Sequence, residues 1–326
     1  MFGENINPLR AIIVVALMVC VPGKCFGQAR KPCFAFILRG DVAVACEGTT
    51  SQITHRGDIE GFAVSNERPT LAYTTSRITR RSATTAWSAS TTTLIDLKSG
   101  TSRLAEGARD VVSTCGGLFA IGAWAAGVRT SAPHNPGVPD LITGDQLRFD
   151  AYTQFRCSSD CRTVIGTTNG GRDLYEGLTP TTKIASAENS QSTHRSLSHF
   201  NISPDGSRIV YEGSYSLCVF SAPGPAQCVK TDATDQPSVN DSGEVLFALG
   251  TSQECYYKTS YNFSPKPFPG ATDENRDQCL AIGYWRPGLK SVETAEPLGR
   301  SPQWITPATA ELLRSWSAHA AQVGGK

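Results

Sequence analysis

Cysteine is the residue type whose number and spacing say most about chemistry in this chain. The sequence has 11 cysteines, and Cys20 and Cys25 lie in an N-terminal segment that we expect to be removed. The others are expected to form disulfides, because exported chains fold under oxidising conditions. We predict four pairs from cysteines that flank a turn or a loop, and Cys115 has no assigned partner: Cys33–Cys46, Cys157–Cys161, Cys218–Cys228 and Cys255–Cys279.

One turn supports the pairing of Cys33 with Cys46. If Arg39-Gly40 is a two-residue hairpin turn, the two cysteines face each other at a non-hydrogen-bonded position, where Cα atoms are close enough for a bridge. The C-x3-C spacing of Cys157 and Cys161 could instead indicate zinc, but no histidine lies nearby in sequence. We therefore expect disulfides, with no metal and no other cofactor.

The remaining residues that could do catalysis form no familiar motif. Five histidines are scattered along the chain without HExxH spacing, and there is no G-x-S-x-G elbow or glycine-rich phosphate loop. These absences argue against a zinc protease and an α/β-hydrolase. Ser203-Pro204-Asp205-Gly206 is similar to the Asp-box turn of sialidases, but no arginine triad or carboxylate pair accompanies it. We interpret it as a structural turn.

The N-terminus and the charge indicate the compartment. Arg10, the apolar run 11–21 and the small residues before Ala29 have the layout of a signal peptide, which we place at residues 1–29. The run is too short to span a bilayer comfortably. After cleavage 28 basic and 28 acidic residues are left, so net charge does not favour nucleic acid or an anionic membrane. We expect a periplasmic or secreted protein.

A repeated segment predicts the elements that position these residues. The clearest copy runs from Phe200 to Tyr211, and it aligns without gaps over Phe62–Tyr73 and Phe155–Gly166. Counted at the place of Ser203, six copies fall at residues 65, 113, 158, 203, 240 and 306. Most spacings are near the ~40–45 residues of a four-stranded propeller blade. Each copy is typical of a strand, a tight turn and a second strand.

The sequence Ile202-Ser203-Pro204-Asp205-Gly206 and its continuation to Tyr211 resembles the TolB-type propeller repeat. Gln52-Ile53-Thr54 is similar to that family's segment between blades. The resemblance implies an all-β, six-bladed β-propeller and a role in docking periplasmic or envelope proteins. We expect residues 30–326 to form one propeller domain. Its closing blade should combine two N-terminal strands, within residues 33–46, with two C-terminal strands, within residues 303–316.

Two sets of residues are candidates for binding. The first set precedes the innermost strands and should surround one mouth of the central channel, where it either holds a ligand or lines a water-filled opening: Glu60, Arg109, Gln154, His199 and Gln236. The second set lies in an insertion from Tyr256 to Gln278, which either forms a recognition surface or folds back over the ring edge: Tyr256, Tyr257, Tyr261, Phe263 and Phe268.

Two functions stay open at this point, because propellers include both binding proteins and enzymes. We favour a monomeric, non-enzymatic scaffold that binds another envelope or extracellular protein, or a small ligand at the channel mouth. We expect no nucleic-acid partner and no membrane span. The alternative is a propeller enzyme, a hydrolase or lyase acting on a sugar or peptide at the same mouth.

Overall fold

A computed structural model describes most of the chain after residue 31, in the ranges 32–81, 86–106, 110–121, 138–139, 141–143, 146–147, 152, 154–168, 172–186, 197, 199–213, 216–231, 237–250 and 280–324. Several predictions concern residues outside these ranges. They are the signal peptide, the aromatic insertion and four single residues: Arg109, Gln236, Cys255 and Cys279.

The described residues form five four-stranded antiparallel sheets, which follow one another along the chain. The closing sheet has the order β24-β1-β2-β3 and contains β1 (Phe34–Leu38), β2 (Asp41–Cys46), β3 (Thr49–Gln52) and β24 (Arg300–Trp304). The second contains β4 (Ile59–Ser65), β5 (Thr70–Arg81), β6 (Ala86–Asp96) and β7 (Ser102–Glu106). The third contains β12 (Gln154–Cys157), β13 (Val164–Thr168), β14 (Asp173–Glu176) and β15 (Thr182–Ser186).

The last two four-stranded sheets complete the series. One contains β16 (Phe200–Ile202), β17 (Ile209–Gly213), β18 (Ser216–Phe220) and β19 (Gln227–Lys230). The other contains β20 (Ser238–Val239), β21 (Val245–Gly250), β22 (Leu280–Trp285) and β23 (Glu293–Glu296). Two pairs of strands form separate two-stranded sheets: β8 (Asp110–Thr114) with β9 (Gly117–Ile121), and β10 (Val138–Pro139) with β11 (Gln146–Leu147).

The first strands of successive sheets contact one another around a common axis. Contacts join β24 to β4, β4 to β8, β12 to β16, β16 to β20 and β20 to β24. The Thr114 hydroxyl at the end of β8 connects β8 to β12, because it accepts a hydrogen bond from the Cys157 amide. Each hydrophobic cluster combines residues of two adjacent sheets. This is a β-propeller, and the predicted all-β propeller class is confirmed.

The predicted number of six blades is wrong. The described part of the chain forms five four-stranded blades. The weak copy counted at residue 113 gives the two-stranded sheet β8–β9, which packs between the second and third four-stranded sheets. This copy of the turn therefore gives one hairpin, and among the described residues no third strand pairs with β8 or β9.

The closing blade takes one strand from the C-terminus and three from the N-terminus, whereas the sequence predicted two from each end. After β24 the chain forms helix α1 (Pro307–Gly324) instead of a strand. The local sequence accounts for this helix: the Thr309 amide donates to the Thr306 hydroxyl at 3.1 Å, and proline occupies the first helical position. Ala310 and Leu313 are fully buried against the core shared by the closing and second blades.

The three strong copies of the repeat have one register. Phe200 pairs with Tyr211, Phe62 with Tyr73 and Phe155 with Gly166. The repeated serines, Ser65, Ser158 and Ser203, are each fully buried. Each hydroxyl accepts a backbone N–H across its turn at 3.0 Å. The repeated serine therefore closes the first turn of a blade, which agrees with a structural role for the Asp-box-like sequence.

Hydrogen bonds also join these turns from blade to blade. We call the end of the ring that carries them the bottom face, and the end where β4, β12 and β16 begin the top face. The connecting bonds run from Ser65 Oγ to Gly116 O, Ser159 N to Pro204 O, Asp205 N to Asp241 Oδ1, Trp304 N to Ser238 Oγ and Thr306 N to Asn66 Oδ1. The bottom face is thus tied together by backbone and short side chains.

We expect the bottom face to make stability pH-dependent. The Ser158 hydroxyl and the Arg162 amide donate to Asp160 and lower the pKa of its carboxyl. A depressed folded-state pKa contributes stability that is present above the unfolded value, about 3.9, and is lost as pH falls through the folded value. The melting temperature should therefore be steady between about pH 7 and 5 and fall below about pH 4, as measured by circular dichroism.

Two variants test this cause. Asp160→Asn should reduce the fall in melting temperature at acidic pH, because it removes a group that titrates. Burial raises the pKa of Asp241, so this carboxyl acts in the opposite direction, and Asp241→Asn should make the fall steeper. Identical profiles for wild type and both variants would contradict the assignment.

Candidate functional site

The direction of the strands decides which connections lie on the top face. Within a blade the first strand begins at the top face, and the second strand returns to it. The connection between second and third strands therefore leaves from the top face, as does the segment that leads into the next blade. Residues at these places can contact a partner without disturbing the turns of the bottom face.

The described residues of the predicted channel mouth lie near the starts of three first strands. Glu60 is at the start of β4, Gln154 begins β12, and His199 directly precedes β16. Glu60 and Gln154 are exposed, and His199 is half-buried. The other two predicted residues, Arg109 and Gln236, lie outside the described ranges. A binding role for this set stays a prediction.

His199 has an acidic neighbour that the sequence analysis missed. Its Nδ1 lies 2.5 Å from Oε2 of Glu212, and the Glu212 amide donates to the His199 carbonyl at 2.9 Å. The two side chains are 35% and 27% exposed, so they form an accessible ion pair when the imidazole is protonated. The pairing register of the repeat predicts this contact, because Phe200 pairs with Tyr211 and the next pair outward is His199 with Glu212.

Arg300 is the second residue that sequence reasoning missed. It begins β24, the first strand of the closing blade, and therefore takes the place that Glu60 has in the second blade. Its guanidinium donates to the carbonyls of Glu60 at 2.7 Å and Ile59 at 3.1 Å. The two C-terminal strands were expected within residues 303–316, so Arg300 was not recognised as the start of the first strand of the closing blade.

Asp41 holds the segment that leads to Glu60. The side chain is 5% exposed and lies at the start of β2, just after the Arg39-Gly40 turn. Its Oδ1 accepts hydrogen bonds from Thr54 Oγ1, the Arg56 amide and the Gly57 amide, and its Oδ2 accepts one from Gln52 Nε2. The buried carboxylate therefore organises the connection between the closing and second blades.

The hairpin β5–β6 extends beyond its own blade at the top face. β4 pairs with β5 only as far as Thr75, and β7 pairs with β6 only as far as Thr91. β5 and β6 continue to pair with each other to Arg81 and Ala86. We call residues 76–90 the ribbon. Its sequence contains three arginines and no acidic residue.

A second addition leaves from the same face. Gly250 pairs with Leu280 at the end of the β21–β22 pairing, so residues 251–279 depart from and return to one point. The predicted aromatic set of Tyr256, Tyr257, Tyr261, Phe263 and Phe268 belongs to this segment, which lies outside the described residues. The predicted Cys255–Cys279 pair belongs there too and stays a prediction.

Two of the predicted cysteine pairs are close enough for disulfides. The Cα atoms are 4.1 Å apart in both Cys33–Cys46 and Cys218–Cys228. In the first, Leu38 pairs with Asp41, so Arg39-Gly40 is the two-residue turn that the prediction required. Cys218 pairs directly with Cys228, and Cys33 and Cys46 each lie one residue beyond the Phe34–Ala45 pair.

The predicted Cys157–Cys161 bridge is not present. Both cysteines are unbridged, as is Cys115, which lies in the same buried cluster. The reason is tertiary: the turn between β8 and β9 docks on the turn that follows β12, which brings a third thiol to the pair. Within the described part of the chain, no group of three His, Cys, Asp or Glu side chains has the arrangement of a metal site.

Known proteins are similar to this chain in structure and not in sequence. No family model matches the chain, and no curated protein matches it. Among solved structures, the chain is similar to a functionally unknown protein from Desulfotomaculum acetoxidans, with 9% identity, a TM-score of 0.44, and 83% of this chain and 84% of the other covered. The fold assignment therefore depends on the sheet order itself.

Two propeller domains show similarity of the same kind. For the Pan2 WD40 domain of Neurospora crassa the identity is 9% and the TM-score 0.37, covering 65% of this chain and 68% of the other. For the β-propeller domain of the trilobed protease from Pyrococcus furiosus the identity is 10% and the TM-score 0.26, covering 73% of this chain and 56% of the other. Across the ranges that the structure describes, no helix has both the length and the apolar character needed to cross a membrane.

Proposed function

We propose that this chain is an exported, non-enzymatic binding propeller of the TolB type, which acts in the periplasm or outside the cell as a monomer. Its partner is another protein, bound at the top face. The observation that carries the proposal is that both additions to the blade pattern, the ribbon and residues 251–279, leave from this one face. The bottom face, by contrast, repeats the same serine turn for the same structural task.

The charge of the ribbon indicates the chemistry of the partner. Arg77, Arg80 and Arg81 occur within residues 76–90 without an acidic residue, although the mature chain has no net charge. An excess of charge of one sign on a projecting segment favours binding to a surface of opposite charge and speeds association. We therefore expect the partner to present an acidic segment to the top face.

One contact favours the alternative of an enzyme. His199 and Glu212 lie within hydrogen-bond reach at the channel mouth, and an imidazole paired with a carboxylate can act as a general base. Both groups belong to one hairpin, β16–β17, and a substrate would also need groups from neighbouring blades. His199→Ala separates the functions: loss of turnover on sugar or peptide substrates would support the enzyme, whereas the scaffold proposal expects partner binding without turnover.

The proposal can be tested with two variants that remove equal charge from opposite faces. The top-face variant is Arg77→Ala/Arg80→Ala/Arg81→Ala. The bottom-face control is Lys98→Ala/Arg162→Ala/Lys290→Ala, three exposed residues in turns at the other end of the blades. The partner is first captured from the envelope fraction by the mature protein, and its Kd for each variant is then measured at two salt concentrations.

We expect the top-face variant to bind at least about tenfold more weakly and with reduced salt dependence, because charge pairs at an interface are screened by salt. The bottom-face control should bind like the wild type. Equal loss in the two variants would mean that general charge, and not the top face, determines binding, and the proposal would then be wrong.

A further inference from the structure

Three unbridged thiols meet where two sheets adjoin. Cys115 is in the two-residue turn between β8 and β9, Cys157 ends β12, and Cys161 lies in the turn that follows. Cys115 and Cys157 belong to one buried hydrophobic cluster, and Cys161 packs against it. Cys115 comes from a different sheet than the other two cysteines.

The backbone around these thiols is fixed by hydrogen bonds. The Thr114 hydroxyl accepts the Cys157 amide at 2.7 Å and donates to the Cys157 carbonyl at 3.2 Å. Cys115 and Cys161 have φ angles of 49° and 60°, left-handed conformations that belong to tight turns. The cluster is therefore held by two docked turns, and its thiols do not depend on a mobile segment to meet.

The three thiols differ in exposure and in acidity. Cys115 and Cys157 are 8% and 5% exposed, and Cys161 is more accessible. The hydrogen bond from Cys115 lowers the pKa of Cys157 in spite of burial. The same contact, together with burial, raises the pKa of Cys115, and burial raises the pKa of Cys161. Cys157 is accordingly the member of the cluster that ionises most readily, and Cys161 is the one that solvent reaches.

We propose that Cys115, Cys157 and Cys161 form a thiol–disulfide exchange site that reacts with small disulfides and ends as a Cys115–Cys157 bridge. This bridge joins the two-stranded sheet β8–β9 to the neighbouring four-stranded blade. It gives that sheet a covalent attachment across the interface between the sheets, at the position where hydrogen bonds from Thr114 already hold the two turns together.

The reaction balances with one molecule of a small disulfide such as glutathione disulfide. The Cys161 thiolate attacks one sulfur of this molecule, forms a mixed disulfide and releases the first small thiolate. Cys115 then attacks Cys161 Sγ and displaces the second small thiolate. Finally Cys157 attacks Cys115 Sγ and returns Cys161 to the thiol. Two protein thiols are oxidised, one small disulfide is reduced to two thiols, and the two protons pass to the leaving thiolates.

Peptide mapping under non-reducing conditions tests the proposal, on the protein as purified and after incubation with glutathione disulfide. Trypsin leaves Cys157 and Cys161 on one peptide, because cleavage follows Arg156 and Arg162. A protease that cleaves before Asp160 separates them. We expect a Cys115–Cys157 cross-link and a free Cys161. A Cys157–Cys161 bond with free Cys115, or three thiols that stay free after oxidation, would overturn the proposal.

Single substitutions separate the roles of the three thiols. Cys115→Ser should stop at the mixed disulfide between Cys161 and glutathione and leave Cys157 free, and Cys157→Ser should shift the bond to Cys115–Cys161. Cys161→Ser should still reach the Cys115–Cys157 bond, about tenfold more slowly, because a buried thiol is then the first to react. A bond between Cys157 and Cys161 in Cys115→Ser, or an unchanged rate in Cys161→Ser, would contradict the assigned route.

A melting curve in reducing buffer shows whether each variant is folded. Wild-type mapping needs no substitution, so it decides the pairing even if a variant fails to fold. Oxidation should also raise the melting temperature of the wild type and leave that of Cys115→Ser unchanged, since only the wild type gains a bond across the sheet interface.

Discussion

Asp41→Ala should lower the free energy of unfolding by about 2 kcal/mol, because it removes a buried acceptor of four hydrogen bonds and leaves the buried Thr54 hydroxyl without this partner. The carboxylate accepts four hydrogen bonds, at 2.9 Å from Gln52 Nε2, 2.9 Å from Thr54 Oγ1, 2.5 Å from the Arg56 amide and 3.2 Å from the Gly57 amide. The affected segment joins the closing blade to the second blade. Urea denaturation followed by tryptophan fluorescence measures the loss.

Asp58→Ala is the matched control, since it removes a carboxylate from the same segment. Asp58 is 48% exposed and pairs with the Arg56 guanidinium at the surface. Exposed ion pairs contribute less than about 1 kcal/mol, so this variant should be close to the wild type. If the two variants lose equal stability, the buried hydrogen-bond network at Asp41 is not what holds this connection.

The triple variant Tyr257→Ser/Tyr261→Ser/Phe263→Ser should bind the partner about a hundredfold more weakly, which corresponds to a loss of a few kcal/mol. Aromatic side chains dominate the energetics of protein interfaces when they form a buried cluster. The segment that carries these residues departs from the top face at Gly250 and returns at Leu280. The measurement is the Kd for the captured partner, together with the melting temperature of the free protein.

Leu178→Ser is the control for general loss of exposed apolar surface. Leu178 is 67% exposed and lies in the turn between β14 and β15, at the bottom face. We expect its binding and melting temperature to match the wild type. The triple variant should also melt near the wild type, because few core contacts depend on an added loop. If it melts far lower and still binds as well once folded, the insertion is structural and this prediction is wrong.

The features that the sequence predicted correctly are those set by neighbours along the chain. The register of the three strong copies, the buried serine of each turn and the bridge across the Arg39-Gly40 hairpin depend on a few adjacent residues. Tight turns need particular residue types at set positions, and a hairpin turn determines which residues face each other. Such features can therefore be predicted before any tertiary contact is known.

Gly166 shows where this local reasoning stops. It takes the position that Tyr73 and Tyr211 have in the other two copies, and in the sequence it is a mismatch. In the structure the ring of Tyr152 fills the space, so a Cβ on Gly166 would clash with Tyr152 Cγ. The Tyr152 hydroxyl also donates to the Gly177 carbonyl at 2.6 Å. An aromatic residue is supplied from outside the repeat, which an alignment of copies does not reveal.

The sequence by itself determined the propeller class, the register of its strong repeats and the two hairpin bridges, because local turn chemistry and strand pairing specify them. Tertiary structure decided how many four-stranded blades the described residues form, and that Arg300 of the closing blade contacts Glu60 of the second blade. It also placed Cys115 in one cluster with Cys157 and Cys161. These outcomes depend on how separate sheets dock, and residues 42 positions apart in sequence, as Cys115 and Cys157 are, meet only after that docking has occurred.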